Sequence, residues 1–410
     1  PAVIAGSALM RKGLQSLLIN RDVSLLAICQ ALLVTGNVLL VSVTALIGHL
    51  LTVEPLLATL PVAMQFAGMM LATLPASLLM KRIGRRRGFV LGNLIGIAGA
   101  IVCMAGLQLR SLALFCVGAS LIGACIGISQ LYRFAAVDAS EGENKHRAIG
   151  LVMTGGIAAA LLGPNLAVWT REWLPDTLYA GSFLGLICLY VIALLALSRV
   201  HIPPASVEEV QGVQRPLAQI IVQPVFMVAV LGAMVSYAAM ALIMTATPLA
   251  MLGCGFDFPS TAGVIQWHVL GMFAPSFLTG RLISRYGVTQ IMLVGAVLMI
   301  ACILVNLQGV SKAHFSIALL LLGVGWNFLY IGSTSLVTEA YLPAEKAKVQ
   351  GVNDMLVSLT VMLATFLAGV LLNQFGWQWV NQSMLPLLVV VLIAILWFYR
   401  HRAKALSFSC

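Results

Sequence analysis

The chain has 410 residues, of which 61% are hydrophobic and only 9% are charged, and its net charge is +10. Soluble domains carry roughly 25% charged residues, so a water-soluble fold is excluded and lipid is the solvent that stabilises such a surface. The bases sit in short segments between apolar runs, not in a stripe interleaved with aromatics, which excludes a nucleic-acid partner and points to membrane topology.

Residues 1–22 read as a cytoplasmic leader: Arg11, Lys12 and Arg21 are present, and no small-residue cleavage site follows a short apolar core. A spanning helix needs about 20 apolar residues. Six such runs fill residues 23–198, at 23–49, 55–80, 88–108, 111–134, 148–171 and 177–198. A polar linker, 199–221, contains Pro203, Pro204, Glu208, Glu209 and Arg215. Six further runs fill residues 222–399, at 222–251, 259–280, 288–309, 314–337, 349–374 and 379–399, and residues 400–410 form a tail. The expectation is an all-α membrane protein of twelve transmembrane helices in two six-helix bundles. With both termini cytoplasmic, every Lys and Arg except Arg110, Arg171 and Lys312 falls on the cytoplasmic side, as the positive-inside rule requires. A bacterial inner-membrane location and a monomer are expected. Cys29, Cys103, Cys116, Cys125, Cys188 and Cys302 lie inside apolar runs and read as small hydrophobes, not as a disulfide framework.

The halves repeat at an offset of about 200 residues. Lys81-Arg82-Ile83-Gly84-Arg85-Arg86-Arg87 follows the second span, and Ser284-Arg285-Tyr286-Gly287 follows the eighth. Glu143, Lys145 and Arg147 after the fourth span correspond to Glu345, Lys346 and Lys348 after the tenth. Arg82, Gly84, Arg85 and Arg86, with Gly280, Arg285 and Gly287, resemble the loop motif of the major facilitator superfamily. The fifth span, with Gly155, Gly156, Gly163 and Pro164, is similar to that superfamily's Gly-rich helix. Ser77 stands in place of the pattern's leading Gly, and Lys81 and Ser284 stand in place of its usual acids. The resemblance implies two bundles that rock about a central cavity.

Polar groups kept inside a membrane are expensive and point to function. Of thirteen carboxylates only Asp354 enters a span, less than two turns from its cytoplasmic end, which counts against antiport of cationic drugs. Arg133 and Asp354 are candidate gate partners, with a solvated rim as the alternative. Asn37, Gln65, Gln130, Gln266 and Asn327 are expected to line the cavity. The chain has 18 Met, and soft heteroatoms recur at i, i+4: Met240 and Met244 in span seven, His268 and Met272 in span eight. At about 1.5 Å per residue the two pairs fall at comparable depths. Thioether with imidazole favours copper, and thioether especially Cu(I); ordinary gap-filling by Met is the alternative.

The M-x-x-x-M and H-x-x-x-M pair, within Trp267-His268 and on to Pro275-Ser276, resembles CcoA-like bacterial copper importers of the same superfamily. That resemblance implies Met240, Met244, His268 and Met272 as copper ligands and Cys254 as a capture thiol at the entrance. It also implies copper as the transported substrate, no cofactor, delivery towards cytochrome c oxidase assembly, and a cytoplasmic copper chaperone or export pump as partner. Copper binding would weaken in acid as the imidazole protonates. The alternatives are a proton-linked exporter of small molecules or drugs with the same fold, and a non-transporting copper sensor or assembly factor. No P-loop and no nucleophile–base pair points to an enzyme.

Overall fold

The computed structural model describes residues 21–132, 135, 144–202 and 215–407. Arg133, Glu143, the leader up to residue 20, Pro203, Pro204, Glu208 and Glu209 lie outside these residues.

Helices dominate because lipid offers backbone N–H and C=O groups no partner, so each apolar segment must satisfy its own. In chain order they are α1 Arg21–Leu51, α2 Leu60–Ile83, α3 Arg85–Gln108, α4 Leu112–Ser129, α5 Asn144–Thr170 and α6 Ala180–Leu197. A short helical turn at Leu217–Ile221 leads to α7 Pro224–Gly253, α8 Phe258–Phe273, α9 Val288–Gln308, α10 Lys312–Val337, α11 Lys346–Gln382 and α12 Leu385–Ser407.

Among the described residues nine helical runs are long and apolar enough to cross a membrane. Local breaks account for the other three crossings of a twelve-helix fold. The apolar part of α5 is shorter, Gly155–Thr170, and α11 and α12 read as one run, Lys348–Arg402. That run turns at Gly376, which has a φ of 83°. The eighth crossing is interrupted after Phe273 and resumes as Ser276–Tyr286. Pro275 causes this interruption, because it lacks an N–H and its ring crowds the preceding turn.

The gap in α8 is braced from α10. Asn327 is fully buried. Its Nδ2 donates to the Met272 carbonyl and to Ser276 Oγ, both at 2.6 Å, and its Oδ1 accepts from Thr279 Oγ1 at 2.6 Å. The cavity-lining role expected for Asn327 therefore gives way to a structural one. Asn327→Ala strands these groups in an apolar interior and should cost about 1–3 kcal/mol. Thermal unfolding in detergent checks this; an unchanged midpoint would show that the break needs no brace.

The internal repeat is visible in the packing. In the first half α2 and α3 pack on α4, and α1 on α5; in the second, α8 and α9 pack on α10, and α7 on α11. Helices α2 and α4 meet backbone to backbone at Gly123, where a Cβ would lie 1.8 Å from the Gln65 carbonyl oxygen. Helices α8 and α10 meet likewise at Gly323, 2.3 Å from the His268 carbonyl oxygen. Small residues let membrane helices approach this closely. Most buried apolar side chains of α1–α6 share one core and those of α7–α12 another, while Leu94, Ile101, Leu195, Val297 and Ile393 remain exposed on the outside.

The two basic loops also match in backbone. Gly84 has φ 86° and ψ 151°, and Gly287 has φ 93° and ψ 151°, a conformation that residues with a Cβ enter only under strain. Arg86 then reaches across to the end of α6, donating to the carbonyls of Leu197 at 3.0 Å and Ser198 at 2.5 Å. A cation there complements the negative end of the helix dipole. Arg82 is exposed, and the Arg285 guanidinium lies 5.3 Å from the Tyr286 ring centroid.

The linker's far end is fastened to the second half. Glu345 is shielded from water and accepts from the Arg215 backbone N–H at 2.7 Å and from the guanidinium at 2.9 and 2.7 Å, while Lys348 Nζ donates to the Arg215 carbonyl at 2.7 Å. The Arg215 guanidinium holds the Glu345 carboxyl down at about 2, below its ordinary 4.5. A depressed carboxylate stabilises the fold fully above 4.5, and the contribution fades as pH falls towards 2. Amide hydrogen exchange at Arg215 should therefore be slow at neutral pH in the native chain and fast in Glu345→Gln. Equal rates would remove the anchor.

Candidate functional site

One end of the bundle carries the basic loops at Arg82–Arg87 and Arg285; the other carries the loops at Pro55 and Cys254. The seam between the halves is sealed towards this second, base-poor end. Thr59, fully buried, donates through Oγ1 to the Phe366 carbonyl at 3.0 Å and accepts from the Gly369 N–H at 3.2 Å. Asn373 Nδ2 donates to the Pro55 carbonyl at 2.9 Å, and Asn165 Nδ2 to Gln266 Oε1 at 3.5 Å. These bonds between described residues all join the first half to the second. Gly369 permits the approach, since a Cβ there would lie 2.6 Å from Thr59 Oγ1.

Deeper along the seam lies an aromatic cluster. Trp326 and Tyr330, one turn apart on α10, are nearly parallel, with centroids 4.9 Å apart and planes at 13°. Tyr237 of α7 meets both edge-on, at 5.4 Å from Trp326 and 5.2 Å from Tyr330. Phe66 from the opposite half packs into the same group, with Tyr237, Tyr330 and Met234, over Val357 and Val361 of α11. At 1.5 Å per residue, Tyr237 and Trp326 lie roughly 20 Å along their helices, close to mid-depth. The Trp326 Nε1–H is buried without an acceptor, and Gln30 Oε1 on α1 is buried without a donor. Between α1 and α2, Gln65 Nε2 donates to Asn37 Oδ1 at 3.0 Å. Flat hydrophobic faces with unspent hydrogen-bonding capacity suit a planar solute with polar edges.

The residues expected to hold a metal fall on α7 and α8. Met240 and Met244 are buried in α7, Met272 is half-buried, and His268 is wholly enclosed. His268 Nδ1 lies 2.9 Å from the Leu319 carbonyl oxygen, so one ring nitrogen already ties α8 to α10, while Nε2 has no partner. Helix α7 packs chiefly on α11 and then on α10, α8 packs chiefly on α10, and α7 and α8 pack little on each other although they are consecutive. Cys254 is exposed at the end of α7. Among the described residues no group of three or more His, Cys, Asp or Glu is arranged to hold a metal. Asp354 is exposed and accepts from Asn353 Nδ2 at 3.1 Å; its expected partner Arg133 lies outside the described residues. Gly280 is exposed with open space around its Cα. The aromatic cluster was absent from the sequence expectations. Its signal was the W-x-x-x-Y spacing of Trp326 and Tyr330, which puts two rings on one helix face.

Comparison with known proteins follows the same lines. The Major Facilitator Superfamily profile matches residues 26–339 and 229–409. A riboflavin transporter, RfnT of Brucella anthropi, is 42% identical over 382 residues, covering 92% of this chain and 95% of its own. The uncharacterised MFS-type transporter YddS of Bacillus subtilis is 27% identical, covering 88% of this chain and 87% of its own. The crystal structure of the human organic anion transporter MFSD10 (TETRAN) superposes with a TM-score of 0.67 at 15% identity, over 92% of this chain and 99% of its own, which supports the fold alone.

The similarity to a riboflavin transporter overturns the reading as a copper importer and the placement in the CcoA-like branch. The physical reason lies in the motif itself. Methionine is abundant here and packs helix interfaces, so paired i, i+4 spacings arise without a metal. The alternative of a small-molecule transporter with the same fold is the better supported one. Matched by the family profile over almost its whole length, and folded as two repeated helical bundles, the chain belongs to the major facilitator superfamily and is a multi-pass membrane transporter.

Proposed function

We propose that this protein transports riboflavin, or a closely similar planar heteroaromatic solute, across the bacterial cytoplasmic membrane by alternating access of its two halves. The observation that carries the reading is the Trp326, Tyr330 and Tyr237 cluster at mid-depth on the seam, with Phe66 facing it from the other half. The 42% identity with a riboflavin transporter supports the same solute. A tricyclic isoalloxazine ring offers a wide π face for stacking and carbonyl edges for a donor such as Trp326 Nε1–H. An uncharged solute also suits this interior, since no carboxylate, Lys or Arg of the described residues sits at mid-depth to compensate a charge. The base-rich end, with both termini, is taken as cytoplasmic on the positive-inside rule.

Counterflow in proteoliposomes tests the reading without assuming a direction. Liposomes preloaded with riboflavin and carrying the purified protein should accumulate radiolabelled riboflavin, and unlabelled lumichrome, which keeps the ring without the ribityl chain, should compete. Counterflow no faster than in protein-free liposomes would rule riboflavin out as the substrate.

A further inference from the structure

A cavity of about 350 Å³ opens at the base-poor end of the seam, on the far side of the seal from the aromatic cluster. Helix α1 contributes His49, α7 Leu249, the loop after it Cys254, and α11 Leu372, Asn373 and Trp377. The volume falls within the range of small-molecule sites, and the lining has their usual make-up, apolar walls with a few polar groups. No carboxylate, Lys or Arg lines it. Trp377 supplies an indole face, and its Nε1–H is buried without an acceptor.

Asn373 belongs both to this cavity and to the seal. Its Nδ2 holds the Pro55 carbonyl at 2.9 Å and the Gly369 carbonyl at 2.8 Å. The Gly369 bond lies within α11, so only the Pro55 bond crosses the seam, and a ligand carbonyl in the cavity that takes its amide proton loosens the seal.

We infer that this cavity is an entry site, at which an uncharged planar heteroaromatic solute stacks on Trp377 before the seal opens and draws Asn373 away from Pro55. The inference rests on the riboflavin reading above. Its ligand is the same solute, bound at a place distinct from the mid-depth cluster. Binding there favours opening only by the difference in affinity between the sealed and open states, which the exchange of Asn373 partners provides.

Cys254 is a built-in reporter, since its thiol is exposed on the cavity wall. Intact cells are treated with a membrane-impermeant charged maleimide across a riboflavin titration, with Cys254→Ser defining the background. Labelling of Cys254 is expected in the native chain, and riboflavin should suppress it. Trp377→Ala should need at least about tenfold more riboflavin for the same protection, the scale of one lost stacking partner, while Trp326→Ala should be protected as the native chain is. A cooperative thermal unfolding transition in detergent, with a midpoint close to that of the native chain, shows that Trp377→Ala is folded. If wild-type counterflow proceeds while Cys254 goes unprotected, or if protection is lost in Trp326→Ala and kept in Trp377→Ala, the entry site is wrong and the substrate reading stands. Cys254 that reacts only after permeabilisation would also overturn it, by placing the cavity on the inner side. Absence of wild-type counterflow removes the substrate reading, and the entry site with it.

Discussion

Trp326→Ala should lower riboflavin counterflow at subsaturating concentration by about 10- to 100-fold, since an aromatic face that stacks on a base-like ring contributes about 1–3 kcal/mol. Trp326 supplies the largest face in the cluster, and Tyr237 and Tyr330 hold it from two directions. It is also almost fully buried, 8% exposed, so truncation lowers stability as well. Two further variants separate these effects. Trp326→Phe keeps a stacking face and loses the Nε1–H, so it should retain most of the stability and part of the transport. Tyr330→Phe keeps the ring and the packing, and should transport close to normally. The expected pattern is a raised half-saturation for Trp326→Ala in protein that still unfolds cooperatively. A half-saturation equal to that of the native chain would move the solute site elsewhere.

Gly369→Val should abolish net transport by preventing closure at the base-poor end. A Cβ at this position would lie 2.6 Å from Thr59 Oγ1 and 3.1 Å from Thr59 Cγ2. Thr59 is wholly enclosed and bonded to α11 through both Phe366 and Gly369, so it has nowhere to retreat. The variant loses both bonds, each worth about 0.5–1.5 kcal/mol, and adds a clash. A penalty of this size on one of two states of similar free energy leaves the sealed state a minor population. Spin labels at Val53→Cys and Leu252→Cys, exposed positions on opposite halves at that end, should report longer distances in Gly369→Val than in its parent. The background for both replaces the exposed Cys188 and Cys254. An unchanged distance distribution would show that the Thr59 contact does not set the seal.

These two variants probe features that differ in how far they can be read from the chain. The spans were legible because lipid forces hydrogen bonding to be local, so an apolar run of sufficient length becomes a helix whatever its neighbours are. The two-half organisation was legible from the basic loops, and their glycines, Gly84 and Gly287, prove to share one backbone conformation that a Cβ would strain. The eighth crossing was expected as a continuous helix over 259–280. Its interruption was foreshadowed by Pro275, but the Asn327 side chain that completes it comes from a helix about 50 residues further on.

The copper reading was drawn for a related reason. Met240, Met244, His268 and Met272 share faces at similar depth, and the spacing rule that pairs residues along one helix is sound. It does not say which helix each face meets. Consecutive helices were taken as neighbours, whereas α10 packs against both α7 and α8 and supplies the Leu319 carbonyl that His268 bonds. The aromatic cluster was missed because its rings come from α7 and α10, with Phe66 from the opposite half.

What this sequence determined by itself is therefore the solvent, the secondary structure and the repeat: a membrane, a set of helices, and two halves with matched glycine loops. The tertiary structure alone decided which faces meet, placing Trp326, Tyr330 and Tyr237 together at mid-depth and setting Thr59 against Gly369 at the seal. The physical reason is one of range. Backbone hydrogen bonding in lipid is satisfied within a few residues of chain, whereas a solute site between halves is made by side chains whose separation in sequence has no bearing on their separation in space.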